Sequence, residues 1–208
     1  MSKIIYVLSP HTDDAEIAAG GTIAKWVEKN YVVHHRAFSR AIISLPSGIE
    51  PDQTEIEFNS AQEVLGTHGM IGDFPTRRFT EHRQDILDQI LRDADRIHPD
   101  LVVGPSVNDC HQDHRVIAEE MIRAFRRSAE ILCYEHPRNE HGFSPHAWCE
   151  LTSDHVDKKI SAIAQYESQE VKQDSFLDLD SILAVLKYRG MQINAHAAEA
   201  FEVVRQRI

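Results

Sequence analysis

Ile4-Ile5-Tyr6-Val7-Leu8 is an almost unbroken apolar run rich in β-branched residues, the pattern of a strand covered on both faces. After a polar turn, Ala15 to Val27 reads as a helix, with Ile17, Ala18, Ile23, Ala24 and Val27 supplying much of one buried stripe. Gly20-Gly21 weakens that helix in isolation, so close packing against the sheet is expected to compensate. Tyr31 to Phe38 reads as a second strand despite His34-His35-Arg36 in its middle. Strand, loop, helix and strand in this order open a parallel α/β unit.

Pro46 to Asp52 reads as loop and Glu55 to Leu65 as helix, followed by an irregular stretch punctuated by Gly66, Gly69 and Gly72. Thr80 to Ile97 carries the best helical period. Ile86, Leu87, Ile90, Leu91, Ala94 and Ile97 recur at three- and four-residue steps, with Thr80 as the expected cap and Pro99 as the stop. Leu101-Val102-Val103 is a short buried strand, His114 to Arg127 a helix, and Ile131 to Tyr134 a further strand. A weaker strand at Ala147 to Leu151 precedes helices at Val156 to Ser168 and Leu179 to Gly190, then an amphipathic segment near Ala195 to Val204. No repeat or inter-domain linker interrupts the pattern, so residues 1–208 are expected to form one domain.

Composition narrows the class. Hydrophobic residues at 42% and charged residues at 26% fit a globular chain and exclude wholesale disorder. A formal charge of −11 opposes a broad electrostatic grip on nucleic acid or anionic lipid, so neither is an expected partner. Three cysteines without a Cys-x-x-Cys pair favour a reducing compartment. The polar Ser9-Pro10-His11 arrives too early for a secretory leader, and a cytoplasmic location is the expectation.

Two polar clusters carry the chemistry. Ser9-Pro10-His11-Thr12-Asp13-Asp14-Ala15-Glu16 follows the first strand, and Pro105 to His114 follows another apolar strand in the same manner. If the strands are parallel, both reach the rim where open α/β sheets place their sites. His11, Asp14 and His114 would then make a two-histidine, one-carboxylate set suited to a catalytic zinc with a position open to water or substrate. Asp13 would be free to act as a base, and His111 could approach the same water or carbonyl from the other side. Plainer readings stand beside these. Asp13 and Asp14 could form a solvated turn, His111 a cap, and Asn108 and Asp109 loop caps. Glu16 divides between helix-end electrostatics and orienting a ligand, whereas Asp113 leans towards orienting a histidine.

These residues resemble the LmbE/PIG-L-like N-acetylglucosaminyl deacetylases. Members carry a His-Pro-Asp-Asp-x-Glu signature after the first strand and a later Asp-x-His-x-Asp-His signature. Here they read His11-Thr12-Asp13-Asp14-Ala15-Glu16 and Asp109-Cys110-His111-Gln112-Asp113-His114. Val64-Leu65-Gly66, Gly72-Asp73, Pro99-Asp100-Leu101-Val102-Val103 and Ala198-Glu199-Ala200-Phe201 extend the likeness over nearly the whole chain. The resemblance implies a Rossmann-like α/β three-layer sandwich with a mostly parallel sheet, binding one divalent metal, usually zinc, per chain. It implies His11, Asp14 and His114 as ligands, Asp13 as general base and His111 as electrophile or general acid. Thr12 replaces the usual proline, which should alter the rigidity of the turn rather than the chemistry.

The implied substrate is a small amino-sugar conjugate. Asp73 matches a position that contacts a sugar hydroxyl in relatives, and Arg40, Arg77 and Arg78, with Asn108, are candidates for an anionic group and other substrate contacts. A zinc amidase acting on another N-acyl or thiol conjugate would carry the same motifs, and a noncatalytic metal-dependent sugar-binding protein is the remaining alternative. His34-His35 and the loop bearing His136, His141 and His146 are expected contacts of a homo-oligomer, or rim residues.

Overall fold

Ile5 and Val7 point into one layer of helices, and Tyr6 and Leu8 into the other. The first strand is therefore covered on both faces, as its unbroken apolar run predicts. The computed structural model describes residues 2–139, 141–170 and 178–207. In chain order its elements are β1 (Ile4–Ser9), α1 (Asp14–Glu28), β2 (Val32–Ala37), α2 (Gln53–Leu65), β3 (His68–Ile71), α3 (Arg83–Ile97), β4 (Leu101–Pro105) and α4 (Gln112–Phe125). There follow β5 (Glu130–Tyr134), β6 (Ala147–Glu150), α5 (Ser153–Ile163), α6 (Glu167–Glu170), α7 (Leu179–Met191) and β7 (Ala198–Arg205).

The strands form one sheet in the order β3-β2-β1-β4-β5-β7-β6. β3 through β5 pair in parallel, while β7 lies antiparallel between β5 and β6. Helices α1, α2 and α5 cover one face around Ile23, Phe58, Leu65 and Ile163. Helices α3 and α4 cover the other around Ile86, Ile90, Ile117 and Met121. The result is the expected Rossmann-like three-layer sandwich. The chain winds from β1 to β2 on one side and returns to β4 on the other, which places a topological switch point between the carboxyl ends of β1 and β4.

Several local expectations need correction. The stretch punctuated by Gly66, Gly69 and Gly72 contains strand β3, held by parallel pairing to β2 although His68 and Gly69 are exposed. Thr80 does not cap α3: a 3-10 turn spans Phe79–His82, and the helix begins at Arg83. The helix expected from Val156 to Ser168 divides into α5 and α6, and α5 starts earlier on a capping box between Thr152 and His155. The amphipathic segment near Ala195 is strand β7. Gly20-Gly21 does require close approach, to Glu199 of the sheet as expected and more tightly to helix α5 and the chain leading into it. A Cβ on Gly21 would lie 2.5 Å from Leu151 Cδ1, and one on Gly20 3.1 Å from Lys159 Cγ. His35 is fully buried and therefore offers no surface to a partner.

Candidate metal centre

β1 ends at Ser9, and the turn that follows delivers His11 and Asp14 together because Asp14 opens α1. The backbone N–H of His11 donates to Asp14 Oδ2 at 2.8 Å, which closes the turn. Tyr166 clamps it from α5's side, its hydroxyl donating to the Thr12 carbonyl at 2.6 Å. That bond, with Thr12 buried, holds the turn where proline's stiffness is missing. Asp13 and Asp14 are only 7% and 4% exposed, which excludes the solvated-turn reading. Asp13 occupies the position before the helix without using its side chain as a cap.

α4 brings His114 to the same point. The ligand-capable atoms of His11, Asp14 and His114 all lie within 4.8 Å of one another, with His11 Nδ1 3.2 Å and His114 Nε2 3.4 Å from Asp14 Oδ2. Each imidazole turns its other nitrogen to a carboxylate. His114 Nδ1 is 2.7 Å from Asp109 Oδ2, and His11 Nε2 is 3.2 Å from Asp113 Oδ2. Two nitrogens and a carboxylate oxygen converging, each nitrogen backed by an acceptor, is a donor set that fits a divalent cation such as zinc.

The electrostatics agree. Burial alone would lower the His11 pKa, but the Asp14 charge and the Asp113 hydrogen bond outweigh it and raise it to about 9. His114 rises to about 10 against the same burial, through Asp14 and Asp109. Burial would raise Asp14, yet the facing His114 and His11 hold it well below the usual carboxylate range. The carboxylates of Asp14, Asp109 and Asp113 that raise the two histidines are the negative field that a divalent cation would meet, and a cation held there would displace the ring protons.

His111 caps α4. Its Nδ1 accepts the Asp113 amide at 3.2 Å, and its ring stands edge-on to His11 with centroids 5.1 Å apart. Burial, with His114 and His11 nearby, lowers its pKa. The cap reading is thus correct and compatible with a place at the site, because a neutral ring accepting at Nδ1 carries its proton on Nε2. His11, His111 and Asp113 form a second group with ligand-like spacing, but Asp113 already accepts the amides of Arg77 at 2.6 Å and Phe79 at 3.3 Å.

Two residues at the centre were not singled out as site residues in the sequence. Asp109 acts as the loop cap that the sequence allows, accepting the His111 amide at 2.7 Å, but its other oxygen orients His114. His136 belongs in sequence with the rim histidines His141 and His146. It is buried, with Nε2 3.4 Å from Asp14 Oδ1 and its ring 5.2 Å from that of His114. It follows β5 as His11 follows β1, so the strand-end rule that found His11 could have found it.

The remaining candidates lie further out. Glu16 is buried and accepts from Gln62 at 2.7 Å, with His35 Nδ1 3.6 Å away, and burial pushes its pKa up to about 8. His35 in turn meets Ser9 Oγ at 2.6 Å and Gln62 Oε1 at 2.9 Å, forming a polar seam beneath the turn. Asp73 pairs with Arg40 at 2.5 Å, and Arg40 also approaches Glu55 at 3.6 Å. Arg78 is exposed and paired with Glu81. Arg77 is exposed, with its backbone in the left-handed region at φ 66° and clipped to α4 through Asp113 and Gln112. Asn108 braces two rim loops, donating to the Gly142 carbonyl at 3.4 Å and Glu202 at 3.5 Å. No described helix is long and apolar enough to cross a membrane.

Solved structures share this architecture. The N,N'-diacetylchitobiose deacetylase from Pyrococcus horikoshii superposes with a TM-score of 0.77 at 19% identity, covering 98% of this chain and 84% of that one. GalB, the 4-carboxy-2-hydroxymuconate hydratase from Pseudomonas putida KT2440, gives 0.77 at 21%, covering 99% and 98%. At these identities the likeness establishes the fold. In sequence, the uncharacterized deacetylase YaiS of Escherichia coli K12 is 22% identical over 172 residues, 80% of this chain and 91% of its own. The family model for GlcNAc-PI de-N-acetylase, PIG-L, matches residues 6–125, more than half of the chain and the whole stretch that carries both signatures. The metal-capable His/Asp cluster and that match together support metal-dependent hydrolase chemistry in general, and the chain belongs to the PIG-L/LmbE-like deacetylase family.

Proposed function

We propose that the chain is a zinc-dependent hydrolase, one metal per subunit, that removes acetate from an N-acetylglucosamine-like group on a small cytosolic conjugate or sugar nucleotide. The observation that carries the reading is the convergence of His11, Asp14 and His114, with a buried, non-capping Asp13 next to Asp14 at the start of α1. A divalent cation held by those three residues would supply Lewis acidity towards an amide carbonyl and make water a stronger acid. Asp13 is the base that accepts the proton of the attacking water. His111 donates from Nε2 to the oxyanion that develops on the carbonyl, and its capped Nδ1 lets it do so while neutral. Asp109 and Asp113 fix the ligand rings, and His136 walls the far side of Asp14. The leaving amine takes its proton from Asp13 or His111.

The substrate contacts assigned to Asp73, Arg40, Arg77, Arg78 and Asn108 are part of the proposal. Arg77 supports it best, since its exposed side chain leaves a backbone clipped beside His11's carboxylate partner. A homo-oligomer belongs to the same reading, through the rim loop around His141 and His146 rather than through His35. A zinc amidase acting on another N-acyl or thiol conjugate is the competing reading.

The deciding experiment is a zinc-supplemented screen of N-acetylglucosamine, its phosphorylated, nucleotide-linked and carboxylated derivatives, and chitin oligomers, scoring acetate and new primary amine together. Metal-dependent release of both from a small anionic conjugate is the expected result. Amine release only from other N-acyl compounds selects the amidase, and activity confined to chitin oligomers overturns the small-conjugate assignment.

A further inference from the structure

We propose that a groove at the amino-terminal end of the sheet, opposite the metal centre, binds a small molecule with an apolar body and an anionic head. Three parallel strands define the two ends. Their carboxyl ends deliver His11, Asp109 and His136 to the metal centre, whereas Lys3, Leu101 and Glu130, at or just before their amino ends, line the groove. Six-residue β1 alone separates the two by about 20 Å, at ~3.3 Å per residue.

The groove has a volume of about 460 Å³, within the ~300–1,000 Å³ usual for small-molecule sites. Leu132 and Val203 give it apolar lining beside the almost fully buried Phe201. Trp26 of α1 and Trp148 of β6 form its walls. Trp26 leans over Phe201 with ring centroids 6.4 Å apart, and the Trp148 indole is anchored by donating to Gln192 Oε1 at 2.9 Å. Flat, fixed aromatic surfaces of this kind favour a rigid or extended apolar body.

The charge of the rim selects the head group. Lys3, Lys25, Lys29 and Arg205 line the groove against Glu130 and Glu150, a local cationic excess on a chain of net charge −11. Lys3 is tied to Glu130 at 2.7 Å, but Lys25 reaches the backbone carbonyl of Glu150 rather than its carboxylate, at 2.5 Å. Lys29 is exposed, and its ammonium makes no hydrogen bond or ion pair among the described residues. The carboxyl end of α1 points here and would repel an anion, so Lys25 and Lys29 are what make one acceptable.

The chain's two tryptophans are both in this groove, so their fluorescence reports on it directly. The probes are 8-anilinonaphthalene-1-sulfonate and its uncharged analogue N-phenyl-1-naphthylamine, titrated into the full chain while following tryptophan quenching and energy transfer. The anionic probe should saturate at one per chain and bind at least tenfold more tightly than the neutral one. The Lys25→Gln/Lys29→Gln double variant should lose that preference while keeping its urea midpoint and its affinity for zinc. Equal affinity for the two probes, non-saturable quenching, or an unchanged preference in the double variant would overturn the assignment. So would expulsion of the probe in step with self-association in sedimentation, since the groove would then be a contact between copies.

Discussion

Asp109 Oδ2 lies 2.7 Å from Nδ1 of His114, the imidazole whose other nitrogen faces Asp14 at 3.4 Å. One carboxylate thereby fixes the orientation of an imidazole that arrives from α4 and that the proposed function makes a metal ligand. The Asp109→Asn variant keeps the size but loses the charge behind the ring. Zinc affinity, measured by competition with a chromogenic chelator, should fall by about 10- to 100-fold. An unchanged affinity would reduce Asp109 to the loop cap of the plainer reading.

The proposed function gives the neighbours Asp13 and Asp14 different tasks, and paired variants separate them. Asp13→Asn should retain zinc while turnover falls ~10²- to 10⁴-fold, the usual value of a positioned base. Asp14→Asn should lose zinc itself. Metal content and turnover measured on the same preparations decide the assignment, and normal turnover in Asp13→Asn rejects it.

His111→Ala should cost ~10²- to 10³-fold in kcat, the scale of a lost oxyanion donor, with little change in zinc content. The variant also removes the α4 cap, so thermal unfolding must be followed beside it. A loss of zinc comparable to that of Asp14→Asn would instead make His111 a ligand, in the second His11, His111 and Asp113 group.

His35 sets a pH dependence of stability. Burial holds its pKa at about 4, below the 6.5 of an unconstrained histidine. Between those values the unfolded chain binds more protons, so this contribution is complete above pH 6.5 and is lost as the pH falls towards 4. Its full size is ~3 kcal/mol. Urea midpoints of the metal-free protein should drop across that window, and His35→Gln should flatten the drop. An equally steep fall in the variant would assign the slope to other groups.

Lys159 and Glu199 form a buried pair at 2.6 Å that ties α5 and β7 to the middle of α1. The ammonium also donates to the Ile17 carbonyl, and the carboxylate accepts the amides of Gly21 and Thr22. Glu199→Ala strands the charge and should destabilise the fold by about 3–5 kcal/mol in urea titrations. Lys159→Met combined with Glu199→Gln should recover part of that loss. No recovery in the double variant would show that the amide contacts, not the charges, dominate.

The parts of the fold that could be read from the chain are those where a local pattern decides the outcome. β1 and β4 announce themselves as unbroken apolar runs because both of their faces are buried. α3 does so because one face meets the core and the other meets water. β3 was hidden because an edge strand of four residues, with His68 and Gly69 exposed, buries too little to need apolar side chains. Its backbone pairing to β2 alone defines it. β7 escaped assignment because Glu199 and Glu202 are buried within it, their charges met by Lys159 and by polar groups that the sequence places far away.

The same division runs through the site. His11-Thr12-Asp13-Asp14 and His111-Gln112-Asp113-His114 are legible as clusters because a turn between a strand and a helix gathers neighbours in sequence. Which nitrogen faces Asp14, which carboxylate backs which ring, and that His136 stands beside them are matters of tertiary structure. They depend on the parallel register of β1, β4 and β5, which carries to one rim the loop after β1 and two loops that follow it about a hundred residues later or more. The sequence by itself determined the residue types and their places at strand ends, since these follow from local periodicity and turn chemistry. Only the folded sheet decided the partnerships, because hydrogen bonds and charge pairs depend on distances in space that no local pattern encodes.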